Sequence, residues 1–385
     1  MRRITVALAV LTLAVGLAPA GDRTNRPPSR IFRPASEAAA LEAKAGWALD
    51  ETSKTGKGTA VWVGYAIERM MGERSHIGSF HAGRLSRDLT VAEVLAGKTA
   101  VPAPAAGDTE DVRKAAKAAL DQMEADRTPE KKVLKEIGLF FRYEAGTPPV
   151  LAEVGLSSFD LAFDFEGAPL YWLGRAPDEE SLAMIRRLFS RNTGEEIRED
   201  LIAAAGCHGS PGLVVPFLAE VLGGEGPDEL RKDAAFWISQ QNDAEGLRLL
   251  VRAARTDRSE DVREGAVFAI SQVELPAAVD ELIVLAKSAE RQDVRKQAVF
   301  WIGQMASEKS GKALEEFARK DGDIEVQEQA VFALSQLPDN GGVEPLIKLA
   351  KTHPDPRIRK KAVFWLGECD DPRALETLIA IVKGK

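Results

Sequence analysis

The sequence predicts a mainly α-helical chain, a right-handed α-solenoid of helical pairs preceded by a small α+β domain. Three observations carry this. Phe236, Phe268, Phe300, Phe332 and Phe364 recur every 32 residues inside one phrase (DAAFWISQ, GAVFAISQ, QAVFWIGQ, QAVFALSQ, KAVFWLGE), with no insertion or deletion. A strict period of that size marks an array of one supersecondary unit. Within each unit apolar residues fall at i, i+4 and i+8, which is one face of a helix. Upstream the texture changes to short alternating apolar runs separated by Gly and Pro, the mark of strands and turns.

Residues 1–20, MRRITVALAVLTLAVGLAPA, carry two Arg, an apolar run from Ile4 to Leu17, and Ala18-Pro19-Ala20 before Gly21. A basic start, an apolar centre and small residues at the cut make a Sec-type secretory signal peptide, not a membrane span. The flanking residues of a twin-Arg signal are missing, and no Cys follows the cut to take a lipid. Nothing later in the sequence is long and apolar enough to cross a bilayer, so no membrane insertion is expected after signal cleavage. The mature protein is expected in a bacterial periplasm, or secreted.

Residues 21–56 read as a linker (21–35) and a short helix (36–51) opened by Ser36. Residues 57–166 read as a small α+β leader domain. GTAVWVGYAIE (58–68) alternates Val61, Val63, Tyr65 and Ile67 as a strand does, and a short helix is expected near 90–97. AVPAPAAGD (100–108) reads as a linker and 108–127 as a helix. GLFFRYEAG and PVLAEVGLSSFDLAFDF then read as strands joined by the turn EAGTPP. A leader of this kind can cover the first repeat, as a terminal repeat requires.

Residues 167–385 read as about seven repeats. In the five regular ones the first helix carries Leu230, Val262, Val294, Val326 and Ile358. Four residues on stand Ala234, Ala266, Ala298, Ala330 and Ala362, and four further on Ile238, Ile270, Ile302, Leu334 and Leu366. A turn often holding Asp, Asn, Gly or Pro follows. The second helix then places Leu250, Leu282, Leu314, Leu346 and Leu378 at the same period. Neither helix buries its face alone, so stacking on neighbours folds them.

The phrases VRKQAVFWIGQ (294–304) and IRKKAVFWLGE (358–368), each with an Ala/Leu helix after them, resemble HEAT repeats, in the short form named after phycobilisome lyases. The resemblance implies that an Arg after the first apolar position ties successive turns together, often through an Asp. Arg231, Arg263, Arg295 and Arg359 stand there, with Gln327 in the remaining unit. The turn Asp is present as Asp243, Asp339 and Asp371, while Leu275 and Ser307 occupy its place elsewhere. Two divergent units are expected earlier: 196–222, with Ile197–Arg198 at the start, and 168–189, with Tyr171–Trp172 in place of Phe–Trp. The resemblance is specific for fold and unspecific for activity, since this repeat serves scaffolds, adaptors and lyases.

The chain has 51 Lys and Arg against 59 Asp and Glu, a net charge of −8, and no long basic block. Nucleic acid and anionic lipid are therefore poor partners. Its two cysteines, Cys207 and Cys369, are expected as separate buried thiols, five repeats being too far apart for a disulfide.

Three clusters suggest chemistry, and each has a plainer reading. Glu73, His76 and His81 share a Gly-rich loop, but their spacing is no defined metal-ligand pattern. GCHGSPG (206–212) gathers Cys207, His208 and Ser210, yet lacks the glycine that a nucleophile elbow needs. It reads as the turn between two helices. Asp160, Asp164 and Glu166 alternate as the wet face of a strand would. No catalytic residue, metal site or cofactor is assigned.

The periodic aromatics carry more. With Ala298 at the centre of the buried face and about 100° per residue, Phe300 lies roughly 160° away and Trp301 within roughly 60°. The row Phe236, Phe268, Phe300, Phe332 and Phe364 is therefore a candidate partner-binding ladder for a peptide or protein, or else fills the groove beside each neighbouring repeat. Trp237, Trp301 and Trp365 alternate with Ala269 and Ala333, a 64-residue superperiod that Trp172 extends, and read as core packed large against small. Gln240, Gln272, Gln304 and Gln336 read as a solvated helix end. The expected function is a non-enzymatic scaffold or regulator holding a periplasmic or envelope protein. The alternatives are a self-associating assembly module and a lyase-like enzyme, the latter disfavoured by the export signal.

Overall fold

The computed structural model of the chain describes residues 26–54, 59–78, 89–98, 131–192, 194–305 and 307–383. The expected signal peptide, the expected linker at 100–108, the helix expected at 108–127 and His81 lie outside them. The chain divides into two compact units, Met1–Leu213 and Val214–Lys385.

The first unit is built on a five-stranded sheet of order β1-β5-β2-β3-β4. Its elements are β1 (Ile31–Phe32), α1 (Leu41–Ser53), β2 (Ala60–Gly72), α2 (Val91–Leu95), β3 (Lys132–Glu144), β4 (Val150–Ser158), β5 (Leu170–Arg175), α3 (Asp178–Arg191) and α4 (Glu195–Gly206). β2, β3 and β4 form an antiparallel meander, and β5 inserts parallel to both β1 and β2. Because β2 is central, both its faces are covered, and Val61 to Ile67 is buried almost without a break. Trp62, Phe140, Phe165 and Trp172 anchor the core on one face. Gly64 and Gly138 make room for Phe140, since a Cβ on either would stand 2.6 Å from its ring.

Three expectations are corrected here. Residues 168–189 are not a helical repeat: Leu170–Arg175 is strand β5, and Trp172 belongs to the sheet core. A short run buried on both faces shows neither the 2.0 nor the 3.6 period clearly, so its residues fit both readings. Residues 31–32, inside the expected linker, are strand β1. The first helix begins at Leu41, and Ser36 does not cap it. Its first N–H instead donates to Glu180 of α3 at 2.6 Å, a tertiary contact with no local sequence signal.

α5 (Pro211–Leu222) is followed by five helical pairs: α6 (Asp228–Ser239) with α7 (Ala244–Thr256), α8 (Glu260–Ser271) with α9 (Ala277–Ser288), α10 (Gln292–Met305) with α11 (Glu308–Lys320), α12 (Ile324–Ser335) with α13 (Val343–Thr352), and α14 (Pro356–Gly367) with α15 (Pro372–Val382). The first helices pack on one another in sequence, and from α7 to α14 each second helix packs more on the following first helix than on its own partner. The predicted rows are the core: all residues at the Leu230, Ala234 and Ile238 positions are at most 1 % exposed in every repeat. The turn before α13 holds Asp339 and Asn340 at positive φ. Gly342 follows them where a Cβ would strike the Leu334 carbonyl at 1.8 Å.

The Arg row is present with different partners. Arg231 is fully buried and reaches both oxygens of Asp257, at 2.7 and 2.9 Å, and Asp228 at 2.6 Å. Arg263 donates to Asp293 at 2.7 Å and to the carbonyls of Asp257 and Arg258. Arg295 reaches Asp321 and the Ala286 carbonyl, while Arg359 donates to the carbonyls of His353 and Pro354. Burial pushes the Asp293 carboxyl up, but Arg263 outweighs it and holds it below the ordinary range. The ties thus run through the turns between repeats, not through Asp243, Asp339 and Asp371. Asp243 and Asp371 cap the second helices, accepting from the backbone N–H of Gly246 and Arg373, and Ser307 does the same for Ser310.

Removing one partner of a buried pair leaves the other charge uncompensated, at about 3–5 kcal/mol. Arg231 keeps Asp228 at 2.6 Å, so Asp257→Ala is expected to destabilise the second unit by less, about 1.5–3 kcal/mol, seen as a lower midpoint in urea. Substituting the exposed partner of the Lys232–Glu229 pair (2.9 Å) should change it by about 1 kcal/mol or less.

Candidate functional site

Helices α6, α8, α10, α12 and α14 each contribute one Phe, and their rings meet in one line. Phe236 and Phe268 are stacked with centroids 6.4 Å apart and planes 11° apart. Phe268 meets Trp301 at 4.9 Å, and Trp301 meets Phe300 at 5.0 Å. Phe300 stacks on Phe332 at 6.4 Å and 5°, Phe332 meets Trp365 at 5.2 Å, and Trp365 meets Phe364 at 5.0 Å. Trp237 closes the other end, 5.5 Å from Phe236. Each contact contributes about 0.5–1.5 kcal/mol beyond area burial. The first four Phe are half-buried and Phe364 is 58 % exposed, so rings that pack on neighbours also keep an open side.

The tryptophans differ from the sequence expectation. Trp237 is buried, but Trp301 and Trp365 are only half-buried, and each lies on the Phe of the preceding repeat. They sit at the edge of the buried stripe, where a large ring reaches sideways across the repeat boundary. Ala333, the small residue expected beneath a Trp, lies against Gly303, where a Cβ would stand 2.9 Å from its own. The Gln row is partly tied down: Gln240, Gln272 and Gln336 donate to the neighbouring hydroxyls of Ser239, Ser271 and Ser335 at 3.2, 2.9 and 3.0 Å. Those hydroxyls donate in turn to the carbonyls of Phe236, Phe268 and Phe332.

The turn GCHGSPG holds a polar chain that sequence spacing does not reveal. His208 Nδ1 lies 2.9 Å from the Ala204 carbonyl, which only accepts, so Nδ1 carries the proton. Nε2 therefore accepts from the Ser181 hydroxyl at 2.8 Å, and Ser181 Oγ lies 2.8 Å from the Tyr65 hydroxyl, which donates to it. All three side chains are fully buried. Burial holds the His208 imidazole below its ordinary pKa and pushes the Tyr65 phenol up. A Ser–His pair sealed in this way joins α3, α4 and β2; it presents no nucleophile to a substrate. Beside it, Arg69 donates to the Gly206 carbonyl at 2.7 Å and caps α4.

The remaining candidates do not converge. His76 pairs with Asp160 at 3.1 Å, and Lys135 meets the same carboxylate at 3.0 Å. Asp160, Asp164 and Glu166 are not on one face of a strand, because β4 ends at Ser158. Asp164 folds the chain locally by accepting from the backbone N–H of Glu166 and Arg26, at 2.8 and 2.9 Å, and Glu166 takes a positive φ. Among the described residues, no group of three or more His, Cys, Asp or Glu side chains is placed to hold a metal. No helix among them is long and apolar enough to cross a membrane.

Residues 215–303, 247–335 and 311–385 match the family model of HEAT repeats. The second unit is a run of HEAT-like helical pairs. Human deoxyhypusine hydroxylase in complex with glycerol is similar at 19 % identity over 52 % of this chain and 77 % of that one, with a TM-score of 0.24. The CpcE–CpcF complex of phycocyanin lyase from Nostoc is similar at 19 % over 50 % and 77 %, with a TM-score of 0.29. Escherichia coli YibA is similar at 19 % over 53 % and 76 %, with a TM-score of 0.32. No curated protein matches the chain.

Both thiols are free, but they differ: Cys207 is buried, whereas Cys369, expected buried, is half-buried. Burial pushes the Cys207 thiol up to about 12 and raises Cys369 as well. Since the thiolate is the reactive form, a disulfide reagent at pH 8 should label one thiol slowly in the native protein, at Cys369. A second should appear only in denaturant, as mass mapping would show.

Proposed function

We propose that this chain is an exported, non-enzymatic scaffold or regulator whose HEAT repeats hold a periplasmic or envelope protein along the aromatic row. The observation that carries the reading is the unbroken line of Phe and Trp rings across five consecutive repeats, each Phe keeping an open side. An apolar row that stays partly open across several repeats fits a contact site. Rings already held by their neighbours also lose little freedom on binding, which favours affinity. Export rests on the basic, apolar and small-residue order of residues 1–20.

Two experiments test the reading. Expressed from its natural start in a Gram-negative bacterium, the chain should fractionate with the periplasm, and sequencing of the mature N-terminus should begin at Gly21. Retention in the cytoplasm with the N-terminus intact would overturn export. Crosslinking in that fraction should recover a foreign protein with the parent chain and lose it at least tenfold with the Phe300→Ser, Phe332→Ser double variant, provided the variant keeps its helical circular dichroism. Recovery that ignores the two substitutions would overturn the aromatic row as the site. Recovery of further copies of the chain alone would replace the scaffold by a self-assembling module.

A further inference from the structure

The geometry points to the outer face of α15 as a docking surface for an amphipathic helix of another protein, one with an Asp or Glu at its first turn. Each earlier second helix is covered by the first helix of the next repeat, and α15 has no such cover among the described residues. Leu378, Ile381 and Val382 lie on one face of α15. At the same places in the 32-residue period, the residues of α7, α9, α11 and α13 are at most 8 % exposed. In α15, Leu378 is half-buried, Ile381 is 36 % exposed and Val382 is 87 % exposed. Val363 of α14 is half-buried too, whereas its counterparts Ala235, Val267, Val299 and Val331 are fully buried. Four of the ten large apolar side chains exposed among the described residues are on α15, and no other helix or strand carries more than one. A solenoid end needs a polar outer face to stay soluble, so an apolar one marks a contact.

The array itself shows what fits such a face. The helix that covers α13 is α14, whose buried row is Ile358, Ala362 and Leu366, so the occupant is a helix with apolar residues at i, i+4 and i+8. Arg359 specifies its charge. Arg231, Arg263 and Arg295 each reach a carboxylate at the start of the following first helix. Asp257 and Asp321 stand three residues ahead of α8 and α12, and Asp293 is the second residue of α10. Arg359 holds the same position with only the carbonyls of His353 and Pro354, at 2.6 and 2.8 Å, and no carboxylate among the described residues. A helix placed as the next first helix would be brings its N-terminal turn to Arg359. A carboxylate there is favoured twice, by the guanidinium and by the helix's own dipole. The rows of all five first helices are sealed within the chain, so a second copy has no such helix to offer.

The test is calorimetric titration of the full chain with an acetylated peptide of residues 321–337 (DGDIEVQEQAVFALSQL), the helix that covers α11. One peptide should bind per chain. Ile381→Glu with Val382→Glu, at exposed positions that leave the fold intact, should weaken it at least tenfold by setting charges in the contact. Asp321→Asn in the peptide should weaken binding about three- to tenfold. That difference should vanish in Arg359→Gln, a change for which Gln327 at the same position is the precedent. No saturable binding, or binding that ignores the two Glu substitutions, would overturn the end face as a site. An Asn peptide that binds as tightly as the Asp peptide would overturn the acidic first turn. Phe300→Ser with Phe332→Ser should leave binding unchanged; loss there would move the helix to the aromatic row, overturning the end face while the proposed function stands. Self-association of the parent chain in sedimentation, dispersed by the two Glu substitutions, would put a second copy in the partner's place.

Discussion

Everything in the second unit follows from one constraint: no helical pair covers itself. Each second helix before the last is shielded chiefly by the first helix of the next repeat, so the repeat boundary is as much core as the repeat interior. This is why fifteen periodic Leu, Val, Ile and Ala positions are sealed to within 1 %. It is also why the buried arginines reach across turns. A buried ion pair adds little stability over apolar packing, because desolvating two charges offsets most of their attraction. What it penalises is misregister. If one pair slides against the next, Arg263 loses Asp293, and the slip strands a charge in the interior.

The same constraint explains the aromatic row. An operation that superposes Ala234 on Ala266, and so on to Ala362, must also carry Phe236 to Phe268 and onward to Phe364. Equal intervals in the chain become a line in space because no insertion interrupts them. The 64-residue superperiod then divides the line. Where the residue after Phe is Ala, as at Ala269 and Ala333, the Phe stacks directly on the Phe of the repeat before it. Where it is Trp, as at Trp301 and Trp365, the indole comes between the two Phe rings.

What was legible in the sequence was what repeats. Five copies let the buried face, the Phe row and the Arg position be read with no knowledge of the structure, because each copy checks the others. Single-copy features were not legible in this way. Leu170–Arg175 carries the Tyr–Trp of a divergent repeat and the unbroken apolar character of a central strand, and only its neighbours β1 and β2 decide between them. The start of α1 is set by Glu180, far along the chain, and the partner of Arg231 by a turn that also introduces the next repeat. The Trp rings fall on the expected helices, but Trp301 and Trp365 are less buried than a helical wheel implies and reach the Phe of the preceding repeat. A helical wheel assigns a direction to each side chain but not the reach of a nine-atom ring across a boundary.

The half-burial of the Phe rings can be misread as indecision between packing and binding. A fully exposed ring on a helix samples several rotamers, and fixing it on a partner costs roughly 0.5–1.5 kcal/mol of the gain. A fully buried ring has no surface left to offer. Rings that lean on the next repeat occupy the middle ground, since the fold has already met most of that ordering cost and the open edge remains free to make contact. The contacts that hold Phe268 and Phe332 in place run to neighbouring repeats, so the preorganisation is a property of the array, and a single isolated repeat would not have it.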